Sequence, residues 1–389
     1  MPQEIVIHFS TPEQFSIRYD DGYDVDLEDN LTFNNPLSDE VYQDIRWYLE
    51  TYSSGYIAEP DVNAAKHIEK QLPRWGEKLF EAVFSTNDYT AQSLFHKFQT
   101  KQKKRYITIS AVHPDILSLP WELLKEPNGV YLFNKKPRIA IRRSLITDKI
   151  CAPHQVKAKK IIRLLFVVSR PKGAGFIDPR REAQAVLAAL EKQKINQIEV
   201  EFLAQATFDG LVNRLGNEDL PAIDIVHFDG HGVFDSSGQL AAQSVDSKWA
   251  KKAGAETANM GYLLFEDDKG DKALVSAQML GEMLNQQNIS MMVLSACQSS
   301  KQAGDEALNS VAARLVHAGI PSVLAISYSA SVSTTLLLFY EFYGQLANGK
   351  LVGEALENTR RYLFQHTERR QGHYGEREFE LHLQDWFIP

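Results

Sequence analysis

The chain has 389 residues, two cysteines and a formal net charge of −8. An acidic excess argues against nucleic acid as a direct partner, because phosphate binding rests on Lys and Arg. No run reaches the ~18 apolar residues of a membrane-spanning helix, and the polar, acidic N-terminus lacks the basic and apolar regions of a secretory leader. With 44% hydrophobic and 24% charged residues, the chain has apolar material for a substantial core, spread over roughly two to three domains' worth of length. Two distant cysteines, Cys151 and Cys297, fit a reduced, cytoplasmic setting better than a disulfide framework. They are too few for a four-thiolate zinc site.

In chain order, EIVIHF, FSIRY and YDVDL alternate apolar and polar residues, separated by TPEQ and DDG. That period of two predicts a small antiparallel meander. From Ser38 to about Phe98 the apolar spacing becomes three and four, which predicts helices, with Ser38 as the first cap. RYITISAV and PRIAIRRSL read as strands around LSLPWELL; the basic stretch Lys97 to Arg105 reads as a solvated helix end. Ile146 to Lys160 is polar and lysine-rich, with Pro153, and reads as a linker. Beyond it strands and helices alternate. IIRLLFVVS, IEVEFLAQA, AIDIVHF, SMMVLSA and PSVLAISYS are the strands. RREAQAVLAALEKQ, FDGLVNRLG, SAQMLGEMLNQQ, EALNSVAARLVHAG, VSTTLLLFYEFYGQLANG and LVGEALENTRRYLFQHTERR are the helices. This order predicts βαβ units and a mainly parallel sheet. The apolar end, HLQDWFIP, fits a docked final segment and a cut before further domains equally well.

In such sheets chemistry gathers at the carboxyl ends of the strands. IDIVHF runs into DGHG, which places His231 just past one strand end, and MMVLSA runs into Cys297 at another. A thiol is a strong nucleophile only as the thiolate, and a neighbouring imidazole takes its proton and later delivers it to the leaving amine. Gly232 has no Cβ to block its N–H, so the N–H groups of Gly232 and Cys297 are candidates for an oxyanion hole. His231 precedes Cys297 by 297 − 231 = 66 residues, of the same order as the ~50 of caspases.

DIVHFDGHG, GYLLFED, VLSACQSS, the Ala-Gly-Ile-Pro-Ser-Val stretch and LPWELL are together similar to the CHAT family. These are caspase-like peptidases related to separase. The resemblance runs from about Leu119 to Phe364. It implies a caspase-like three-layer α/β fold, with a mainly parallel central sheet flanked by helices, over residues 151–389. An N-terminal α+β, pseudo-protease-like subdomain would occupy 1–150. It also implies a cysteine endopeptidase acting on a protein substrate, often one module of a larger bacterial signalling or defence protein gated by a sensor domain or partner. His231-Gly232 and Ser295-Ala296-Cys297 match the family's catalytic motifs, and Pro120-Trp121-Glu122 matches a motif of structural character. Gln298-Ser299-Ser300 stand where Glu-Thr-Gly is common.

An acid in the specificity pocket would favour a Lys or Arg before the scissile bond. Asp229 and Asp305 are the first candidates, ahead of Asp235, Glu266 and Asp267, and Ser327 and Tyr328 would line the cleft. Several features have plainer readings. His227, four residues before His231, lacks the H-E-x-x-H setting and reads as a packed histidine rather than a zinc ligand. RPKGAGFIDP lacks the Gly-Lys-Ser/Thr ending of a nucleotide loop and reads as a βα loop at the cleft rim. No cofactor or metal is implied, and Cys151 reads as structural or incidental. The alternative to an enzyme is a catalytically silent caspase-like scaffold.

Overall fold

Alternation along the first 32 residues makes a meander of β1 (Gln3–Thr11), β2 (Gln14–Asp20) and β3 (Val25–Thr32), antiparallel throughout. Every second residue of β1 from Ile5 to Phe9 is buried, as a sheet with one covered face requires. The computed structural model describes residues 2–53, 61–85, 89–100, 104–145, 156, 159–176, 178–193, 197–245, 260–296, 306–328, 330–374 and 377–389. They fall into two compact units: 1–146 with 330–334 and 351–388, and 147–329 with 335–350.

In the first unit the predicted helices form α1 (Asp39–Arg46), running on into a π-helical turn, then α2 (Val62–Phe84) and α3 (Tyr89–Thr100). Ser38 holds the N-cap position of α1, but its side chain makes no capping bond. β4 (Arg105–Ala111) pairs parallel with β1, and β5 (Ile139–Leu145) pairs parallel with β4. Between them, after α4 (Pro114–Ser118), the Pro-Trp-Glu motif forms a 3₁₀ turn. Trp121 is fully buried against Phe9 and Phe33, with ring centroids 5.8 and 5.9 Å away, and its indole N–H donates to the Ile116 carbonyl at 2.6 Å. The linker expected over 146–160 lies largely outside the described residues, as does Cys151.

The second unit follows the predicted alternation through β6 (Ile162–Val168), α5 (Arg181–Gln193), β7 (Ile198–Phe202), α6 (Phe208–Gly216) and β8 (Ile225–Asp235). A hairpin of β9 (Met260–Glu266) and β10 (Lys272–Ser276) comes next. It is followed by α7 (Ala277–Gln286), β11 (Met291–Ala296), α8 (Glu306–His317), β12 (Val323–Ala325) and α9 (Val332–Ala347). Strands β7, β6, β8, β11 and β12 lie side by side, all parallel. Apolar side chains of one sheet face, including Val226, Phe228, Met292 and Leu294, pack with Leu211 of α6, Leu280 of α7 and Leu315 of α8. On the other face His227 meets Phe339 and Tyr343 of α9 and Glu182 of α5. Helices therefore cover both faces, giving the three-layer α/β arrangement.

One expectation is corrected. β8 does not end before His231: it outlasts its parallel neighbours and pairs antiparallel with β9 from His231 to Asp235. The glycines of DGHG suggest a turn, but Gly230 is required by packing, because a Cβ there would sit 2.6 Å from the Phe228 ring. The same antiparallel hairpin makes the sheet mixed rather than wholly parallel.

The chain returns to the first unit in α10 (Val352–Gln365), which stops short of the predicted Arg370. A strand pair follows, β13 (Glu368–Tyr374) with β14 (Arg377–His382), antiparallel. Arg369 turns inward to bond the Asp385 carboxylate, with Nε 2.9 Å from Oδ2, and this buried pair holds the extended backbone where helix periodicity would have carried it outward.

Candidate active site

The two strands singled out by their ends are neighbours. β8 and β11 are parallel and in register, with Ser295 beside Asp229 and Ala296 beside Gly230. The pairing reaches the residue before His231 on one strand and the residue before Cys297 on the other. Cys297 itself, and Asp305, lie outside the described residues.

His231 is buried, and its Nε2 lies 2.9 Å from the carbonyl oxygen of Gly175. A carbonyl only accepts, so Nε2 carries a proton and donates it to Gly175. Gly175 belongs to the loop after β6, which is stitched down on both sides. The Ser169 N–H donates to the Asp229 carbonyl (2.9 Å) and its hydroxyl to that of Leu264 (2.7 Å). The Arg170 N–H donates to Glu266 (2.7 Å), and the Lys172 N–H to the Gly270 carbonyl (2.8 Å). The loop read as a cleft rim thus supplies the acceptor that orients the imidazole. No acidic residue was identifiable for that role in the sequence.

Beneath His231 lies a buried polar chain. Glu182, in the first turn of α5, places one carboxyl oxygen on His227 Nε2 and the other 2.6 Å from the Ser295 hydroxyl. His227 Nδ1 lies 2.8 Å from the Tyr343 hydroxyl. Burial pushes the Glu182 carboxyl up to about 8, against the Ser295 hydrogen bond and the Arg170 charge; burial also drives the His227 imidazole down to about 3. Both are therefore uncharged at neutral pH, as charges cut off from water require. Beside them Arg170 forks onto both oxygens of Asp229 at 2.7 Å. Burial pushes Asp229 up to about 6, with Arg170 acting the other way.

The raised carboxyl of Glu182 fixes the sign of a stability effect. The folded state holds this proton where the unfolded chain has released it, so the contribution is present below about pH 4.5 and is lost as pH rises through about 8. Chemical denaturation at pH 6 and pH 8.5 should show wild type losing ~2 kcal/mol more than Glu182→Gln across that interval, at 1.4 kcal/mol per unit of pH. Equal losses would show that the carboxyl is ionised throughout.

Residues 74–388 match the model of the CHAT domain family. The chain belongs to the CHAT domain family. A comparison with curated proteins gives no match. CHAT domains are caspase-like and related to peptidases, and the matched span starts before and ends beyond the Leu119–Phe364 of the sequence resemblance.

Within this CHAT domain Gly232 sits in β8 opposite Leu263 of β9. Ser327, half-buried, and Tyr328, buried, follow the end of β12. Asp229 presents its carboxylate to Arg170. Asp235 takes the N–H groups of Ser237, Gly238 and Leu240, and Asp267 those of Lys269 and Asp271. These acids cap their own loops. Three participants went unseen in the sequence: the Gly175 carbonyl, Arg170 and Glu182. A backbone carbonyl leaves no sequence signature, and a Glu in the first turn of an amphipathic helix reads as a solvated cap. Among the described residues no group of three or more His, Cys, Asp and Glu side chains is placed to hold a metal ion, and no helix is long and apolar enough to cross a membrane.

Proposed function

We propose that this CHAT domain is a cysteine endopeptidase in which His231 is the base and Cys297 the nucleophile. The observation that carries the reading is the register of β8 and β11, which sets Ala296 beside Gly230. Cys297 follows Ala296 directly in the chain, and in this reading its sulfur meets the imidazole at that strand end. With Nε2–H spent on Gly175, Nδ1 of His231 accepts the thiol proton. The thiolate attacks the scissile carbonyl, and the N–H groups of Gly232 and Cys297 hold the oxyanion. His231 then protonates the leaving amine, and a water molecule activated by the same ring hydrolyses the thioester, restoring the free thiol.

The substrate in this reading is a protein cleaved after Lys or Arg. Asp229 is already neutralised by Arg170, which leaves Asp305 to select the basic side chain, with Ser327 and Tyr328 at the cleft wall. Fused domains or a partner protein would gate access, in the signalling or defence setting implied by the resemblance. Reporter peptides with Lys or Arg before the scissile bond test the assignment: wild type cleaves them and Cys297→Ala does not. Equal cleavage by both proteins, or by neither, would overturn it.

A further inference from the structure

We propose that Glu182 is a positioning residue for the His231–Cys297 pair, one that locks β8 to β11 from the first turn of α5; this rests on the peptidase reading above. A single carboxyl touches both strands, His227 on β8 and the Ser295 hydroxyl on β11 at 2.6 Å. His227 precedes His231 by four residues and Ser295 precedes Cys297 by two. Strand alternation puts His227 on the same face of β8 as His231. Any slip or splay of one strand against the other moves the sulfur relative to the imidazole, and Glu182 resists both. The groups around it are His227 and Asp229 on β8, Ser295 on β11, Tyr343 on α9 and Arg170 after β6. They complete a directed chain in which Ser295 O–H donates to Glu182, the protonated carboxyl donates to His227 Nε2, and His227 Nδ1–H donates to Tyr343.

A core that served stability alone would be at least as well built from apolar side chains here, since desolvating such groups is costly. A fully satisfied polar chain instead fixes one arrangement of the strands. The chain also makes a specific chemical demand: residue 182 must accept from one neighbour and donate to the other. A glutamine amide meets that demand and an alanine does not.

The test compares Glu182→Ala and Glu182→Gln with wild type and Cys297→Ala in the full chain. The readouts are kcat, KM and amide hydrogen exchange across residues 225–231 and 291–296. Glu182→Ala should lose about a hundredfold in kcat with KM little changed, the scale of a misplacement of about 1 Å, and exchange faster in both segments. Glu182→Gln should recover most of that loss. A folded Glu182→Ala with wild-type kcat and unchanged exchange overturns the proposal, as does a glutamine variant no better than alanine. Wild type as inert as Cys297→Ala overturns the peptidase reading instead, and the exchange data then still decide whether Glu182 locks the strands.

Discussion

Replacing Glu122 with alanine should destabilise the first unit by ~3–5 kcal/mol, the usual cost of stripping one partner from a buried ion pair. Glu122 is 2% exposed and accepts hydrogen bonds from Arg143 (2.9 Å to Oε2) and Arg360 (3.0 Å to Oε1). Arg360 is itself buried and also holds Glu357 of α10. Burial alone would raise the Glu122 carboxyl, but the two guanidiniums outweigh it and hold the group below its ordinary value. Without Glu122, both guanidiniums lose the carboxylate they share. Against a total stability of ~5–15 kcal/mol, the loss is large enough to read as a fall in the urea midpoint. Glu122→Gln, which keeps the acceptor but not the charge, should fall between the two. The depressed carboxyl also gives a sign: its stabilisation is present above about pH 4.5 and is lost on acidification. A midpoint unmoved in Glu122→Ala would remove the structural role of the Pro-Trp-Glu motif.

His231→Ala should lower kcat by ~10³-fold or more, because one ring serves both as the base for the thiol and as the acid for the leaving amine. The fold should tolerate the change better than the activity does. His231 has an orienting bond to Gly175, while the sheet on either side is held by β8, β9 and β11 through their backbones. The predicted pattern is therefore lost turnover with a nearly native melting temperature. The companion effect falls on Cys297, whose thiol should return towards the ~8.5 of an isolated cysteine once the imidazole is gone.

What the sequence made legible was the part written in side-chain periodicity. IIRLLFVVS, AIDIVHF and SMMVLSA are apolar enough to be strands buried on both faces; whether β8 and β11 are neighbours stays open in the sequence, and their parallel register answers it. What it hid has physical causes. DGHG reads as a turn because glycines are scored for freedom, whereas Gly230 is small because the Phe228 ring leaves no room for a Cβ. The extension of β8 through His231 depends on β9, which is distant in the chain. The strand after Gln365 hides in a charged run that continues a helix pattern until Arg369 reaches Asp385. The Glu182–His227–Ser295 chain joins residues up to 113 positions apart, and no local pattern records such a meeting.

The most direct test of the His231–Cys297 pairing is the pH dependence of Cys297 alkylation by iodoacetamide, followed by peptide mass spectrometry in wild type and His231→Ala, with Cys151 as internal reference. The paired arrangement predicts that Cys297 in wild type reacts with a midpoint well below ~8.5 and that His231→Ala moves it up to that value. Identical profiles for Cys297 in the two proteins, matching Cys151, would contradict it.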